Sequence, residues 1–207
     1  MPDHYYSENP NSAHKPRTFT EVVLGHPITF HTDAGVFSRD GVDTGSRILM
    51  QAAQPFSGKV LDMGAGWGAV GISVAKAFPD TFVTMAEINS RAIELIHKNM
   101  AENGVTNCET VATDGYTNVT GQYDVILTNP PIRAGKAVIY QMFADARTRL
   151  APGGAMYIVI RKQQGAPSAQ KYLSTLYEDV KIIEKEAGFW ILRCAGPLPV
   201  GDESHRF

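Results

Sequence analysis

Cysteine is scarce, with Cys108 and Cys194 the only two in 207 residues. Two thiols make no disulfide scaffold, and no CxxC pair or Cys/His cluster has zinc-ligand spacing. A reducing, cytoplasmic setting without a structural metal is the simplest reading. No apolar run reaches the 18 residues of a membrane span, and the amino end MPDHYYSENPNSAHKPR lacks the apolar stretch of a secretory signal. A soluble chain with no membrane partner is expected. An excess of one charge is missing too: 19 Lys plus Arg face 21 Asp plus Glu, a formal net charge of −2. That balance excludes nonspecific coating of polyanions and leaves room for a local basic patch. Nothing marks the composition as disordered or fibrous, so one compact domain is expected.

What is present has a βαβ rhythm. Residues 1–17 are polar and rich in Pro, Asn and Ser, which reads as an arm. Segments 18–24 and 27–32 are β-prone around a short turn and predict a small hairpin ahead of the core. A helix is expected from Asp43 or Thr44 to just before Pro55. From residue 58, strands are expected at 59–63, 81–88, 107–114, 123–129 and 155–160. Helices are expected at 66–78, 90–103 and 136–150. The helix at 90–103 carries Ile93, Ile96 and Met100 on one stripe, with Gly104 placed to stop it. Residues 168–195 read as a helix and two strands hinged near Ala187-Gly188, an antiparallel addition to a parallel sheet. The last residues, GPLPVGDESHRF, read as a loose tail.

The strongest local signal is Val60-Leu61-Asp62-Met63-Gly64-Ala65-Gly66-Trp67-Gly68, where a buried strand meets a helix. Glycine lets the backbone turn tightly and approach a ligand without a Cβ in the way. A dinucleotide pyrophosphate favours such a loop, but the Asp62 carboxylate would repel phosphate and suits an ammonium or hydroxyl group. The missing GKS or GKT excludes a P-loop. The alternative is a tight structural turn with Asp62 capping the next helix. Glu87 follows Gly64 by 23 residues, at the end of the second strand, where a carboxylate can hold both ribose hydroxyls or merely cap the next helix. Asp114, after the third strand, suits an adenine amino group or an ordinary turn before Gly115. Together the three acids describe a crescent along the carboxyl edge of the sheet.

A second signal follows another buried strand: Asn129-Pro130-Pro131-Ile132. Two prolines remove two amide donors and leave carbonyls as fixed acceptors, to which Asn129 adds a side-chain carbonyl. Paired acceptors suit a substrate amine with two N–H donors; the plain alternative is a turn ending the strand. Arg133 with Lys136 and Arg161 with Lys162 form two basic pairs, which with Lys15 and Arg17 describe a phosphate-positioning edge or ordinary surface charge. Gln163 and Gln164 either read a base edge or finish the strand. None of the six His residues stands in a nucleophile–base–acid arrangement, and no general base is assigned.

VLDMGAGWG, Glu87 and Asp114 together resemble the first three motifs of the class I S-adenosylmethionine-dependent methyltransferases. Asn-Pro-Pro is similar to the signature of enzymes that methylate adenine N6, guanine N2 or a glutamine amide. HYYSENP, FHTDAGVFSRDGVDTGSRILM, ILTNPPIRAGK and IVIRKQQGAPSA resemble single-domain relatives of the small-subunit ribosomal RNA guanine-N2 methyltransferases. Larger members of that family carry a degenerate second domain in front. The resemblance implies an α/β, Rossmann-like seven-stranded mixed sheet with helices on both faces and an antiparallel terminal strand, preceded by the hairpin. It implies residues 1–57 as arm, hairpin and helix, 58–195 as the cofactor-binding core, and 196–207 as a flexible tail.

On the same resemblance the cofactor is S-adenosyl-L-methionine. Asp62 and the backbone of Gly64, Ala65 and Gly66 would face its methionine part, Glu87 its ribose and Asp114 its adenine. Asn129 and Pro130 would be catalytic. Phe37, Pro131, Ile132, Arg133, Lys136, Arg161 and Lys162 would face the substrate, with residues 35–38 and 43–46 near cofactor or target base. Trp67 departs from the small or polar residues common in the first motif, and Ile132 replaces the aromatic common in adenine-N6 enzymes. Phe37 or Tyr5 would then offer the stacking surface for a flipped base. The implied activity is methyl transfer to guanine N2 in small-subunit ribosomal RNA, with RNA or a ribosomal particle as partner. Adenine-N6 methylation, protein glutamine methylation and a nonenzymatic RNA-binding module are the alternatives. Monomer and homodimer both stay open.

Overall fold

The computed structural model describes residues 12–199. An antiparallel hairpin of β1 (Arg17–Val23) and β2 (His26–Thr32) stands apart from the main sheet, and α1 (Thr44–Ala53) follows it. The core then alternates β3 (Gly58–Met63), α2 (Ala69–Ala77), β4 (Thr81–Glu87), α3 (Ser90–Asn103), β5 (Cys108–Ala112), β6 (Tyr123–Thr128), α4 (Lys136–Ala146) and β7 (Leu150–Arg161). It closes with α5 (Ala166–Leu173), β8 (Tyr177–Glu186) and β9 (Phe189–Pro197).

The seven-stranded sheet has the order β5-β4-β3-β6-β7-β9-β8, parallel from β5 to β7, with β9 antiparallel to both β7 and β8. The expected mixed sheet is therefore observed. Strand residues alternate between two cores. Val60, Val83, Leu127 and Val159 pack toward the hairpin and α1–α3, whereas Leu61, Ile126, Ile158 and Leu192 pack toward α4 and α5. Both faces being covered explains why these strands read as nearly continuous apolar runs. The chain runs outward from β3 to β5 and returns to pair β6 with β3, so the strand order reverses between β3 and β6. Their carboxyl ends open the crevice in which such sheets bind ligands. Thr128 Oγ donates to the Met63 carbonyl at 3.0 Å and ties the two ends together.

The hairpin docks on α3 by an unusual device. Asn103 accepts from Thr29 N–H at 2.9 Å and donates to the Thr29 carbonyl at 2.8 Å; Asn99 does the same for His31 at 2.7 and 3.0 Å. Asn99 and Asn103 are one helical turn apart, and Thr29 and His31 share one edge of β2, so two side-chain amides act as a neighbouring strand would. Ile96 is fully buried on the expected stripe, but Ile93 and Met100 are only half-buried, and Asn99 is buried among the helix's core positions. Trp67 is buried by the same docking: its ring meets Phe30 at 4.9 Å and Phe19 at 5.9 Å, and its indole N–H donates to the Phe37 carbonyl at 2.8 Å.

Several boundaries differ from expectation. The helix expected over 136–150 ends at Ala146, passes through a single 3-10 turn, and gives Leu150 to β7. β7 thus begins five residues before the expected Ala155. Pro152, Gly153 and Gly154 argue against a strand, yet a register shift between Tyr123 and Val125 on β6 accommodates them. β5 is shorter than expected and leaves Asp114 on the loop, α2 starts at Ala69 rather than 66, and Asn129 lies just beyond β6. β9 extends through Gly196 and Pro197, and Leu198 N–H donates to the Leu176 carbonyl at 2.9 Å. Tyr5 lies outside the described residues. Among the described residues no helix is long and apolar enough to cross a membrane.

Candidate active site

A cleft of about 1290 Å³ opens at the carboxyl ends of β3, β4 and β6. Its walls include Asp62, Gly64, Ala65, Gly66, Glu87 and Asp114 on one side. Asn129, Pro130, Pro131, Ile132, Arg133, Phe37 and Arg161 contribute elsewhere. Lys136 and Lys162 are not among its lining residues. The Lys136 ammonium sits 4.9 Å from the ring of Tyr140, one turn along its own helix. Lys162 begins the 3-10 turn after β7. Gln164 reaches the cleft, whereas Gln163 is not among its lining residues. Arg17 pairs with Asp40 beside the hairpin.

The glycine loop owes its shape to three left-handed residues, Gly64 (φ 76°), Gly66 (φ 57°) and Gly68 (φ 89°). A Cβ on Gly64 or Gly66 would meet nothing within 4 Å, so open space lies over the loop's backbone. Asp62 is 3% exposed, and one of its oxygens accepts from Gly71 N–H in the first turn of α2 at 2.8 Å. The helix-capping role weighed from the sequence is thus present. Among the described residues that is its single hydrogen bond, so the carboxylate keeps acceptor capacity on the cleft wall. Burial pushes its pKa up to about 7, opposed by the Gly71 amide and reinforced by nearby Glu87. Burial likewise raises Glu87, against the amides of Asn89, Gly66 and Ile88. Those three amides, at 2.7–2.9 Å, splay the Glu87 carboxylate at the strand end and clip it to the glycine loop. Asp114 is exposed at the rim, in a turn closed by Thr117 N–H on its carbonyl.

These residues fit a cationic nucleoside. The cradle has room over its glycine backbone, two buried carboxylates that a positive ligand would relieve of unfavourable burial, and a third acid at the rim. A polyphosphate would meet the carboxylates directly.

Opposite the cradle stands Asn129. Its amide nitrogen donates to Asp43 Oδ2 and to Ser46 Oγ, each at 3.1 Å. The carbonyl oxygen of that side chain accepts nothing among the described residues, and the residue lines the cleft. Sequence reasoning brought residues 43–46 near the site only through resemblance. Nothing in the spacing links Asp43 to a residue 86 positions away. Phe37, 41% exposed, lines the cleft, and its carbonyl is held by the Trp67 indole. The Arg161 guanidinium lies 4.3 Å from the centre of the Phe189 ring. Among the described residues no group of three metal-ligating side chains forms.

Comparison with known proteins agrees with this geometry. The methyltransferase small domain family matches residues 27–193. The chain is 39% identical over 197 residues to the uncharacterized protein YbxB of Bacillus subtilis (strain 168), covering 93% of this chain and 98% of that one. It is 36% identical over 148 residues to ribosomal RNA small subunit methyltransferase C of Pasteurella multocida (strain Pm70), covering 69% of this chain and 44% of that protein. The chain therefore spans less than half the length of that relative. Among solved structures, the T. thermophilus 16S rRNA N2 G1207 methyltransferase, in complex with AdoMet and guanosine, aligns with a TM-score of 0.79 at 27% identity. The alignment covers 90% of this chain and 52% of that one.

Proposed function

The chain belongs to the methyltransferase small domain family, and with it to the class I S-adenosylmethionine-dependent methyltransferases; from there we propose that it methylates the exocyclic N2 amine of a guanine in small-subunit ribosomal RNA. The observation that carries the reading is the polarity of Asn129. Its nitrogen is engaged behind the site, so only its carbonyl oxygen is left for a substrate.

In this reading Asp62 and the Gly64–Gly66 backbone hold the methionine end of the cofactor, Glu87 accepts from the ribose hydroxyls, and Asp114 accepts from the adenine amine. When bound, the cofactor supplies an electrophilic sulfonium methyl, so no strong nucleophile has to be generated. Asn129 Oδ1 and the Pro130 carbonyl accept the two N–H groups of the guanine amine and fix its approach. These hydrogen bonds draw the nitrogen lone pair out of ring conjugation and accelerate transfer to the extent that they strengthen in the transition state. The N–C bond would form as the S–C bond to the methyl breaks, its electron pair leaving with sulfur as a neutral thioether; the methylated nitrogen becomes acidic, and its proton leaves to water. Phe37 offers a face for the extruded base, and Arg133 and Arg161 meet the phosphates around it. The relatives that act on ribosomal RNA support an RNA substrate, and the cytoplasm is the compartment in which the chain would meet it.

The test is transfer of labelled methyl to small ribosomal subunits from cells lacking the protein, followed by digestion to nucleosides and peptides. Label is expected in N2-methylguanosine. Label only in N6-methyladenosine or methylglutamine would refute the guanine assignment. Asn129→Ala is expected to lose about 100-fold or more in kcat, with cofactor affinity within a few-fold of wild type.

A further inference from the structure

We infer that Asp43 and Ser46, in the first turn of α1, are positioning residues for methyl transfer, orienting Asn129 so that it shows the substrate an acceptor and no donor. The inference rests on the proposed amine methylation for its catalytic meaning, but the orientation itself stands on contacts in this chain.

Asp43 has an ordinary task as the N-cap of α1, accepting from Ser46 N–H at 3.1 Å. Capping needs only one short acceptor, which Ser, Thr, Asn or Asp supplies about equally well. The second bond, from Asn129 to the same oxygen, goes beyond what the cap requires. An ionised carboxylate only accepts, so the group of Asn129 that faces it must be the nitrogen. Turning the amide over would set its carbonyl oxygen against Asp43. Ser46, 6% exposed, takes the other amide hydrogen and fixes the plane of the group. Both hydrogens of the Asn129 amide are thereby used behind the site.

The first turn of α1 is held firmly enough for this. Gly45 lies so close to the Phe189 ring that a Cβ there would stand 2.8 Å from it, and Ile48, Leu49 and Met50 are in the core. Phe189 is in turn covered by the Arg161 guanidinium. The start of α1 thus touches Asn129, just beyond β6, and Phe189, at the start of β9, and the cap becomes part of the substrate wall. The consequence is selectivity by polarity. An amine with two hydrogens is welcomed, whereas an unprotonated ring nitrogen or a carbonyl oxygen presented at the same point meets another lone pair.

The test separates capping from orientation. Asp43→Ser keeps a good N-cap but replaces the carboxylate with a shorter hydroxyl that donates as well as accepts. Asp43→Asn keeps a carbonyl oxygen able to receive both N–H groups. With S-adenosylmethionine and small ribosomal subunits from cells lacking the protein, Asp43→Ser and Ser46→Ala are each expected to lower kcat about 10- to 100-fold while KM changes about threefold or less. Asp43→Asn is expected to restore activity to within about fivefold of wild type. Asp43→Ser with kcat within about twofold of wild type would overturn the inference. A second readout is independent of the substrate: the 15N side-chain amide signals of Asn129, identified by their loss in Asn129→Ala. They are expected to shift in Asp43→Ser and to stay near their wild-type positions in Asp43→Asn. Unchanged signals in Asp43→Ser would overturn the orientation whatever the activity. If the signals shift but wild type labels no guanine, the guanine reading falls and the orientation stands.

Discussion

Asp62 allows a prediction in which protons report on the cofactor site. Its carboxyl is buried and its pKa is pushed up from 3.8 to about 7, with burial the main cause. A difference of about three units corresponds to about 4 kcal/mol at most. Between those values the folded protein binds a proton that the unfolded chain does not, so stability falls as pH rises. The contribution of Asp62 is fully present below about pH 4 and is lost as pH passes about 7. Glu87, also raised, acts in the same direction. A bound cation beside Asp62 would stabilise the carboxylate, so cofactor binding should expel a proton on the acid side of 7. Affinity for S-adenosylmethionine is expected to rise by close to tenfold per pH unit from about pH 5.5 and to level off above about 7. Calorimetric titration in buffers of different ionisation enthalpy measures both affinity and proton release. 5′-Methylthioadenosine lacks the amino-acid end and should show a nearly flat profile, which separates Asp62 from Glu87. Asp62→Asn is expected to raise the stability of the cofactor-free protein at pH 8 by on the order of 1–4 kcal/mol, while lowering cofactor affinity and flattening its pH profile. A wild-type affinity that stays level from pH 5.5 to 8, with no proton released, would refute the reasoning.

Two further changes probe the scaffold. Asn99→Ala removes two bonds to His31 and one to the Trp67 carbonyl, and should cost about 3 kcal/mol in urea unfolding, with amide exchange accelerated in the hairpin; a loss under about 0.5 kcal/mol would remove the strand-like role of that amide. Gly45→Ala drives a methyl group into Phe189 and to 2.9 Å from Asp43 Oδ2, and should cost about 1–3 kcal/mol while lowering kcat more than KM, as steady-state rates and thermal melts would show.

Much of the cofactor side was legible in sequence because its determinants are local. A buried strand, a glycine turn and a helix start fall within ten residues, and the three acids stand at or just beyond the carboxyl ends of strands whose apolar runs are their own signal. Even there, the Asp62 capping bond and a possible ligand role read identically, since both ask only for a carboxylate at a helix start. The acceptor side was half legible. Asn-Pro-Pro declares a fixed loop, but the polarity of Asn129 depends on Asp43 and Ser46, brought there by the packing of α1 on β7 and β9. No periodicity encodes such a contact. Asn99 and Asn103 read as polar helix positions because their partners are backbone groups of a distant strand edge. Trp67 reads as a departure from the glycine-loop pattern until Phe19 and Phe30 surround it.

In the proposed reading the cleft serves two kinds of ligand of opposite charge, a division that the near-neutral whole chain conceals. Asp62 and Glu87 are buried where a positive nucleoside gains most from them, in surroundings of low dielectric. Arg133 and Arg161 line the same cleft, and in the proposed reading they are the groups that meet the phosphates of the RNA. Asp43 lines this cleft too, and its charge would repel phosphate if it were simply exposed. Instead it receives hydrogen bonds from the Ser46 backbone and the Asn129 amide, and under the proposed orientation part of its negative field acts on the acceptor. One carboxylate thereby serves the helix and the substrate wall at once. The N-cap that starts α1 therefore lies beside Asn129, with the Asp43 carboxylate and the Ser46 hydroxyl both within hydrogen-bond reach of its amide.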